Sequence, residues 1–236
     1  SDFIRKRKKK KCKTNIQSDM NIAAVIVAAG RGLRAGGDIP KQWQPLGDQR
    51  VIDHTLAKFI NHPSIERIIV VLHPDDIDRL TTPDIEKVSG GATRQISVLN
   101  GLTHLTEDPP DMVLIHDVAR ATVPRHVIDN VIEALQYHTA AAPALAVTDA
   151  LWSGVDGLVS ASRPRDGLYR AQTPQGFNFR LILQAHENAS QYSFDDVQVA
   201  LEAKIEIAIV TGCEANIKIT MPEDFKRAQK IIEEKT

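Results

Sequence analysis

The sequence predicts an α/β protein of three layers, a mainly parallel twisted sheet between two layers of helices, with a β-arm protruding from it. Three observations carry this. After Met20, short apolar runs alternate with stretches of helical period, the pattern of βα units. Only 5% of residues are aromatic in a chain that is 42% hydrophobic, so core volume must come from Val, Ile, Leu and Ala, the usual filling of a sheet covered on both faces. Between Leu151 and Tyr169 the alternation stops, and Gly154, Gly157 and Gly167 are spaced among polar and β-prone residues.

Strands are expected at Ala23–Val27, Arg67–Leu72, Met112–His116 and Ala141–Val147. Between them, Ile52–Ile60 is apolar at 52, 56, 59 and 60, and Val127–Leu135 at 127, 128, 131, 132 and 135, both near helical period. The segment from Leu151 to Tyr169 reads as an extended hairpin, part of an arm at about 148–170, whose exposed edges call for a second subunit and hence a homodimer. The chain returns through Gln172-Thr173-Pro174-Gln175 to helices near Arg180–Glu187 and Asp195–Ala203 and strands near Ile207–Thr211 and Asn216–Ile219. A last helix starts at Pro222, with Glu223 and Asp224 suited to its amino terminus. With no internal repeat or second boundary, residues 20–236 read as one domain of ordinary size.

Composition narrows the function classes. No apolar run approaches the roughly 20 residues that cross a bilayer, so a soluble protein is expected. Residues 1–19 hold 8 basic side chains and two acids, leaving 21 basic and 28 acidic residues beyond them, a net −7. The block from Arg5 to Lys11 reads as a disordered, solvated extension ahead of Met20, native or vector-derived, rather than a nucleic-acid or membrane contact. Cys12 and Cys213 can build neither a disulfide framework nor a cysteine zinc site, and a reducing cytoplasm is the default. The eight histidines show no ligand spacing, so no protein-built metal site is assigned.

The first strand empties into a loop built for phosphate: the segment Ala23–Gln42 reads AAVIVAAGRGLRAGGDIPKQ. Gly30, Gly32, Gly36 and Gly37 let backbone amides approach an anion closely, and Arg31, Arg34 and Lys41 set cations beside it. The spacing matches neither a P-loop nor a dinucleotide fingerprint. Polar clusters follow each strand, at Ala28–Lys41, Gly90–Arg94, His116–Arg120 and Thr148–Asp149, and should converge at the carboxyl edge of the sheet, where such folds bind ligands. Asp117 reads as a site residue there, and His116 as a structural imidazole against the core. Taken alone, Lys218 is the polar face of a strand and Arg165 a solvated charge; Trp43 and Trp152 read as packing residues.

Taken in order, Ala28-Ala29-Gly30-x-Gly-x-Arg34, Pro40-Lys41-Gln42, Gly90-Gly91, His116-Asp117-x-Ala-Arg120, Thr173-Pro174-Gln175 and Asn216-Ile217-Lys218-Ile219-Thr220 resemble the 2-C-methyl-D-erythritol 4-phosphate cytidylyltransferases, from Ile22 to Ala228. Gly90–Gln95 and Arg170–Phe177 look most like the cytidylyltransferase part of bifunctional proteins that also carry a cyclodiphosphate synthase, a second domain not expected in this chain. The resemblance implies a Rossmann-like nucleotidyltransferase fold. It implies transfer of CMP from CTP to the phosphate of methylerythritol phosphate, with release of pyrophosphate, in non-mevalonate isoprenoid biosynthesis. It further implies a magnesium ion held mainly by the nucleotide phosphates.

Carried over by position, Arg34, Lys41 and Lys218 would be the catalytic cations. Ala28, Ala29, Gly30 and Gly32 would line the nucleotide, and Gly91 and Ser97 would meet base and ribose. Asp117 and Arg120 would lie between nucleotide and acceptor, while Asp149 and Arg165 would bind the acceptor, Arg165 across a dimer interface. The chain departs from the pattern at Asp149-Ala150-Leu151-Trp152, at Val118 and Ala121, and at Glu214-Ala215, all near acceptor or ribose. These departures leave open another acceptor, such as ribitol phosphate, or a nucleotide-binding relative without turnover.

Overall fold

The computed structural model describes residues 20–32, 39–189 and 193–234; the basic tail at 1–19 and Arg34 lie outside them. The first strand, β1 (Ile22–Ala28), is rich in β-branched residues and almost wholly buried, as suits a central strand. A small antiparallel ladder, β2 (Pro45–Leu46) with β3 (Gln49–Arg50), leads into α1 (Val51–Ile60). Then come β4 (Arg67–Leu72), β5 (Glu86–Ser89), α2 (Arg94–His104), β6 (Met112–Asp117), α3 (Arg125–Ala134) and β7 (Ala140–Ala146). A hairpin of β8 (Leu151–Val155) and β9 (Leu158–Arg163) forms a separate two-stranded sheet, the expected arm. The chain continues through β10 (Tyr169–Ala171), β11 (Gln175–Asn178), α4 (Phe179–Glu187), α5 (Asp196–Glu202), β12 (Ala208–Thr211) and α6 (Pro222–Glu233).

In the main sheet the order runs β7, β11, β6, β1, β4, β5, with β10 and β12 also paired to β7. Pairs of β1 with β4 and β6, β4 with β5, and β7 with β12 are parallel; β10 and β11 run antiparallel to their neighbours. The alternation of side chains along β1 divides the core. Ile22, Ala24 and Ile26 pack with Ile52, Leu56 and Phe59 of α1 and Val127, Ile128 and Val131 of α3. Ala23 and Val25 face Val98 and Leu102 of α2, Ile182 of α4 and Val199 of α5. The three-layer, mostly parallel architecture expected from the sequence is present. Among the described residues, no helix is long and apolar enough to cross a membrane.

Some elements differ from expectation. Asn216–Ile219 is an extended segment outside any sheet: Ile219 N–H donates to Ala119 O at 2.9 Å and buries its side chain beside Leu46, Val51 and Ala228. The segment is thus held by single hydrogen bonds and the burial of Ile219 and not by a strand ladder. Trp152, expected to pack, is 67% exposed on the arm. β10 and β11 form one interrupted stretch along β7. Ala171 faces Ala144 and Gly176 faces Ala141, so five residues of advance match three on β7, a local insertion of the kind found next to active sites.

One buried contact ties α1 to the loop after β6. Thr55 Oγ1 lies 2.7 Å from Val118 O and 3.0 Å from Val51 O, with Thr55 wholly buried. Thr55→Val keeps the shape but leaves the Val118 carbonyl without this donor, an unsatisfied buried acceptor that costs about 1–3 kcal/mol. A urea midpoint unchanged from the parent would show that the hydroxyl contributes nothing.

Candidate active site

From β1 the chain leaves toward β4, and from β6 it leaves toward β7. The carboxyl ends of these adjacent strands therefore border the crevice where open α/β sheets bind ligands. A cleft of about 400 Å³ opens there, lined by Val27–Arg31 after β1, by Gly91–Arg94 and Ser97 around the start of α2, and by Asp117–Ala119 after β6. Lys41, Gln42 and Lys218 complete its walls.

Backbone geometry explains why these segments can meet. A Cβ on Gly90 would stand 2.4 Å from the Ala29 Cβ, and one on Gly91 2.1 Å from Ile96 Cγ2, so glycines let the start of α2 close on the loop after β1. Thr93 caps α2 by accepting from Ile96 N–H at 3.2 Å. Ser97 Oγ accepts from Gly91 N–H at 3.1 Å and donates to Thr93 O at 2.8 Å. Gln42 Nε2 donates to Ala28 O at 2.9 Å, fixing the loop after β1, and Lys41 Nζ donates to Ile219 O at 2.9 Å.

Electrostatics centre on Asp117, whose Oδ2 lies 2.6 Å from Lys218 Nζ and whose Oδ1 accepts from Arg94 Nε at 3.1 Å. Burial opposes its charge, but Arg94 and Lys218 hold its carboxyl well below the usual carboxylate range. Arg94 Nη2 also donates to Asp196 Oδ2 at 2.8 Å. Burial favours a neutral guanidinium, yet Asp196 and Asp117 together keep Arg94 firmly protonated. Arg120 donates to Asn216 O at 2.7 Å and to Ala171 O at 3.1 Å, and burial lowers its pKa despite Asp117 nearby. Beyond it lies a second polar cleft of about 300 Å³, sharing Lys218 with the first and lined also by Arg120, Arg170 and Arg227.

His116 is fully buried, 4.8 Å from the Phe59 ring, and burial pushes its pKa down to about 3. Thr173 Oγ1 accepts from Asp117 N–H at 3.2 Å and lies 3.0 Å from His116 Nδ1. A neutral imidazole taking the hydroxyl proton on Nδ1 has its Nε2–H left for Arg120 O, 3.4 Å away. The ring is a structural strut, as the sequence implied.

Of the residues singled out from sequence, Ala28, Ala29, Gly30, Lys41, Gly91, Ser97, Asp117 and Lys218 line the one cleft. Gly32 stands beside it at φ +62, where a Cβ would lie 2.8 Å from Lys41 Cγ. Arg120 faces the second cleft. Asp149 and Arg165 line neither cleft; both are exposed where the arm leaves the body, with Arg165 donating to Thr148 O. Arg31 lines the cleft but pairs with Asp75 at 2.7 Å and Asp76 at 3.5 Å. Arg94 was missed as a site cation although it closes the Gly90–Arg94 cluster. Gln42, whose amide fixes the loop, was likewise legible only as part of Pro40-Lys41-Gln42.

Comparison with known proteins agrees with this geometry. The family described as IspD: 2-C-methyl-D-erythritol 4-phosphate cytidylyltransferase matches residues 22–234. A 2-C-methyl-D-erythritol 4-phosphate cytidylyltransferase of Roseobacter denitrificans is 50% identical over 216 residues, covering 90% of this chain and 97% of the relative. A bifunctional enzyme IspD/IspF of Dinoroseobacter shibae is 49% identical over 219 residues, covering 91% of this chain and 54% of that protein. The crystal structure of 2-C-methyl-D-erythritol 4-phosphate cytidylyltransferase from Thermus thermophilus aligns with a TM-score of 0.76 at 31% identity, covering 91% of this chain and all of that one (100%).

The depressed His116 has a measurable consequence. Its folded pKa of about 3 lies below the ordinary 6.5, so the stability it lends is complete above pH 6.5 and is lost as pH falls toward 3. Between pH 7 and pH 5, His116→Asn should flatten the fall in unfolding free energy by about 2 kcal/mol relative to the parent. Parallel pH profiles from urea titrations would contradict a buried neutral imidazole.

Proposed function

The chain belongs to the 2-C-methyl-D-erythritol 4-phosphate cytidylyltransferase family, and we infer that it transfers CMP from CTP to 2-C-methyl-D-erythritol 4-phosphate, yielding 4-diphosphocytidyl-2-C-methyl-D-erythritol and pyrophosphate. The observation that supports this best is the charge of the cleft. Among the described residues lining it are four cations, Arg31, Lys41, Arg94 and Lys218, and one carboxylate, Asp117, while carboxylates outside the lining hold Arg31 (Asp75, Asp76) and Arg94 (Asp196) in place. Such an excess suits a triphosphate and a second phosphate brought together.

In the proposed reaction a phosphate oxygen of the acceptor attacks the α-phosphorus of CTP in line. The new P–O bond forms as the bond to the β-phosphate oxygen breaks, and pyrophosphate carries away the electron pair. The attacking phosphate is already ionised, so the protein need neither abstract a proton nor form a covalent intermediate; it positions the reactants and stabilises the growing charge. Lys41 comes from the segment after β1 and Lys218 from the segment ahead of α6, each a point charge suited to phosphate oxygens. Gly91 and Ser97 border the space for base and ribose. Arg34, by its place in the family pattern, adds a further cation to the triphosphate. Arg120, beside the cleft that shares Lys218, is suited to the acceptor.

Among the described residues, no group of three His, Cys, Asp or Glu side chains could hold a metal ion, and both oxygens of Asp117 already face cations. That donor set fits magnesium carried in on the triphosphate rather than caged by protein. When bound, the ion would supply charge neutralisation at the phosphates.

The arm supplies the remaining parts. Trp152, Val155, Leu158 and Val159 are each at least 60% exposed on one chain, an apolar surface that suits a second copy of the chain. In such a homodimer Asp149 and Arg165 of one copy reach the acceptor at the other. Light scattering should give the mass of two chains, and a single-chain mass at micromolar concentration would sink the dimer.

Incubation with CTP, magnesium and methylerythritol phosphate should release pyrophosphate, while the same mixture with ribitol phosphate should release far less. Lys41→Ala should lower kcat by about 100-fold or more while the CTP dissociation constant rises less than about tenfold. Equal losses in both would remove Lys41 from the transition state.

A further inference from the structure

We propose that Asp196 is a positioning residue for this reaction: through Arg94 it fixes the carboxylate of Asp117, and through it the ammonium of Lys218. The inference rests on the proposed function for its kinetic meaning, but the network is visible without it. Lys218 Nζ is 2.6 Å from Asp117 Oδ2, and Asp117 Oδ1 is 3.1 Å from Arg94 Nε. Arg94 Nη2 is 2.8 Å from Asp196 Oδ2, and Asp196 Oδ1 is 3.2 Å from His186 Nε2. Two cations and two carboxylates thus alternate from the cleft inward, ending on an imidazole. Neither Asp196 nor His186 lines the cleft, and both side chains are wholly buried.

Three features set this chain of contacts apart from ordinary packing. Arg94 is the first residue of α2, the end of a helix dipole that disfavours a cation, and it is largely buried. A cation is stable there only against carboxylates, and Arg94 has two, one at Nε and one at Nη2. Asp196 carries a charge that burial opposes, and Arg94 followed by His186 outweighs that opposition.

Its support is also rigid. Asp195 caps α5 by accepting from Gln198 N–H at 2.9 Å, while Gln175 of β11 donates to Asp195 Oδ2 at 3.1 Å and accepts from Val197 N–H at 3.2 Å. The start of α5 is therefore tied to the sheet, and Asp196 holds Nη2 of Arg94 at a fixed place. Without that hold the guanidinium could turn from Asp117, and a singly held carboxylate would no longer present Lys218 in one position.

The test is Asp196→Asn, which keeps the shape and removes the charge. We expect kcat to fall about 10- to 100-fold with the CTP KM changed less than about threefold, and the same substitution to cost less than about twofold in an Asp117→Asn background. Carbon-13 titration of the Asp117 carboxyl should show its pKa moving up toward the ordinary range, a readout that stands whether or not the wild-type enzyme uses the proposed acceptor. Should Asp196→Asn fail to fold, Arg94→Lys carries the same expectations, since an ammonium retains the charge but cannot serve both carboxylates. The proposal is overturned if the variant keeps kcat within twofold, if its loss is undiminished in the Asp117→Asn background, or if the Asp117 carboxyl titrates as in the parent. Wild-type protein that releases no pyrophosphate would instead refute the proposed reaction, and the Asp117 titration alone would then decide the positioning chain.

Discussion

Asp117 is a carboxylate only 8% exposed at the end of a central strand, and the surrounding structure is arranged so that it can remain ionised there. Burial alone would push it toward the neutral acid, which could hold neither cation well. Arg94 and Lys218 prevent this, and each arrives from a part of the chain remote from the others. Arg94 comes from the start of α2 on one face of the sheet, Lys218 from the segment between β12 and α6. The carboxylate therefore joins both sides of the cleft, and anything that moves either cation also changes the charge state of the centre.

The delivery of Lys218 shows how much of that arrangement is backbone work. No strand ladder holds Asn216–Ile219. Asn216 Nδ2 instead donates to Thr173 O at 2.9 Å, Gln172 Nε2 donates to Cys213 O at 2.8 Å, and Arg120 donates to Asn216 O at 2.7 Å. Thr173 in turn receives Asp117 N–H. The interrupted stretch between β10 and β11 exposes the groups that make these bonds, because residues left out of a ladder have donors and acceptors to spare. Lys218 and the end of β6 are thus located by a single bracket of side-chain-to-backbone hydrogen bonds, with His116 as the buried strut beneath it.

Much of this was legible in the sequence, because periodicity reports burial. The continuous apolar run at β1 corresponds to a strand buried on both faces, and the near-helical spacing of α1 and α3 to the helices packed on one of them. Less visible were elements whose stability comes from partners. β5 (EKVS) has charged and small residues because it is an edge strand, and β11 is only four residues, the first of which belongs to the motif Thr173-Pro174-Gln175. α2 carries Asn100-Gly101 in its interior, a pair with poor helical propensity that tertiary packing overrides. The same limit applied to the site. Lys41 and Lys218 could be read from motif position, but Arg94 gains its role from Asp196, 102 residues away, and no local pattern encodes that meeting.

The places where this chain departs from its family's pattern fall in two physical settings, buried positions at Val118 and Ala121 and exposed ones at Ala150 and Glu214. The nucleotide side of the cleft is made of backbone pressed against backbone, with Gly90 and Gly91 admitting no Cβ and Gln42 holding Ala28; a substitution there would displace a sheet or a helix. Ala150 and Glu214 occupy another setting. Ala150 is exposed in the arm, and Glu214 is an exposed partner of Arg170 at the rim of the second cleft. Side chains at such positions change contacts without moving the frame, and an exposed ion pair contributes little to stability. A changed residue at the rim can alter how an acceptor is held while the buried centre, Asp117 between its two cations, keeps its geometry.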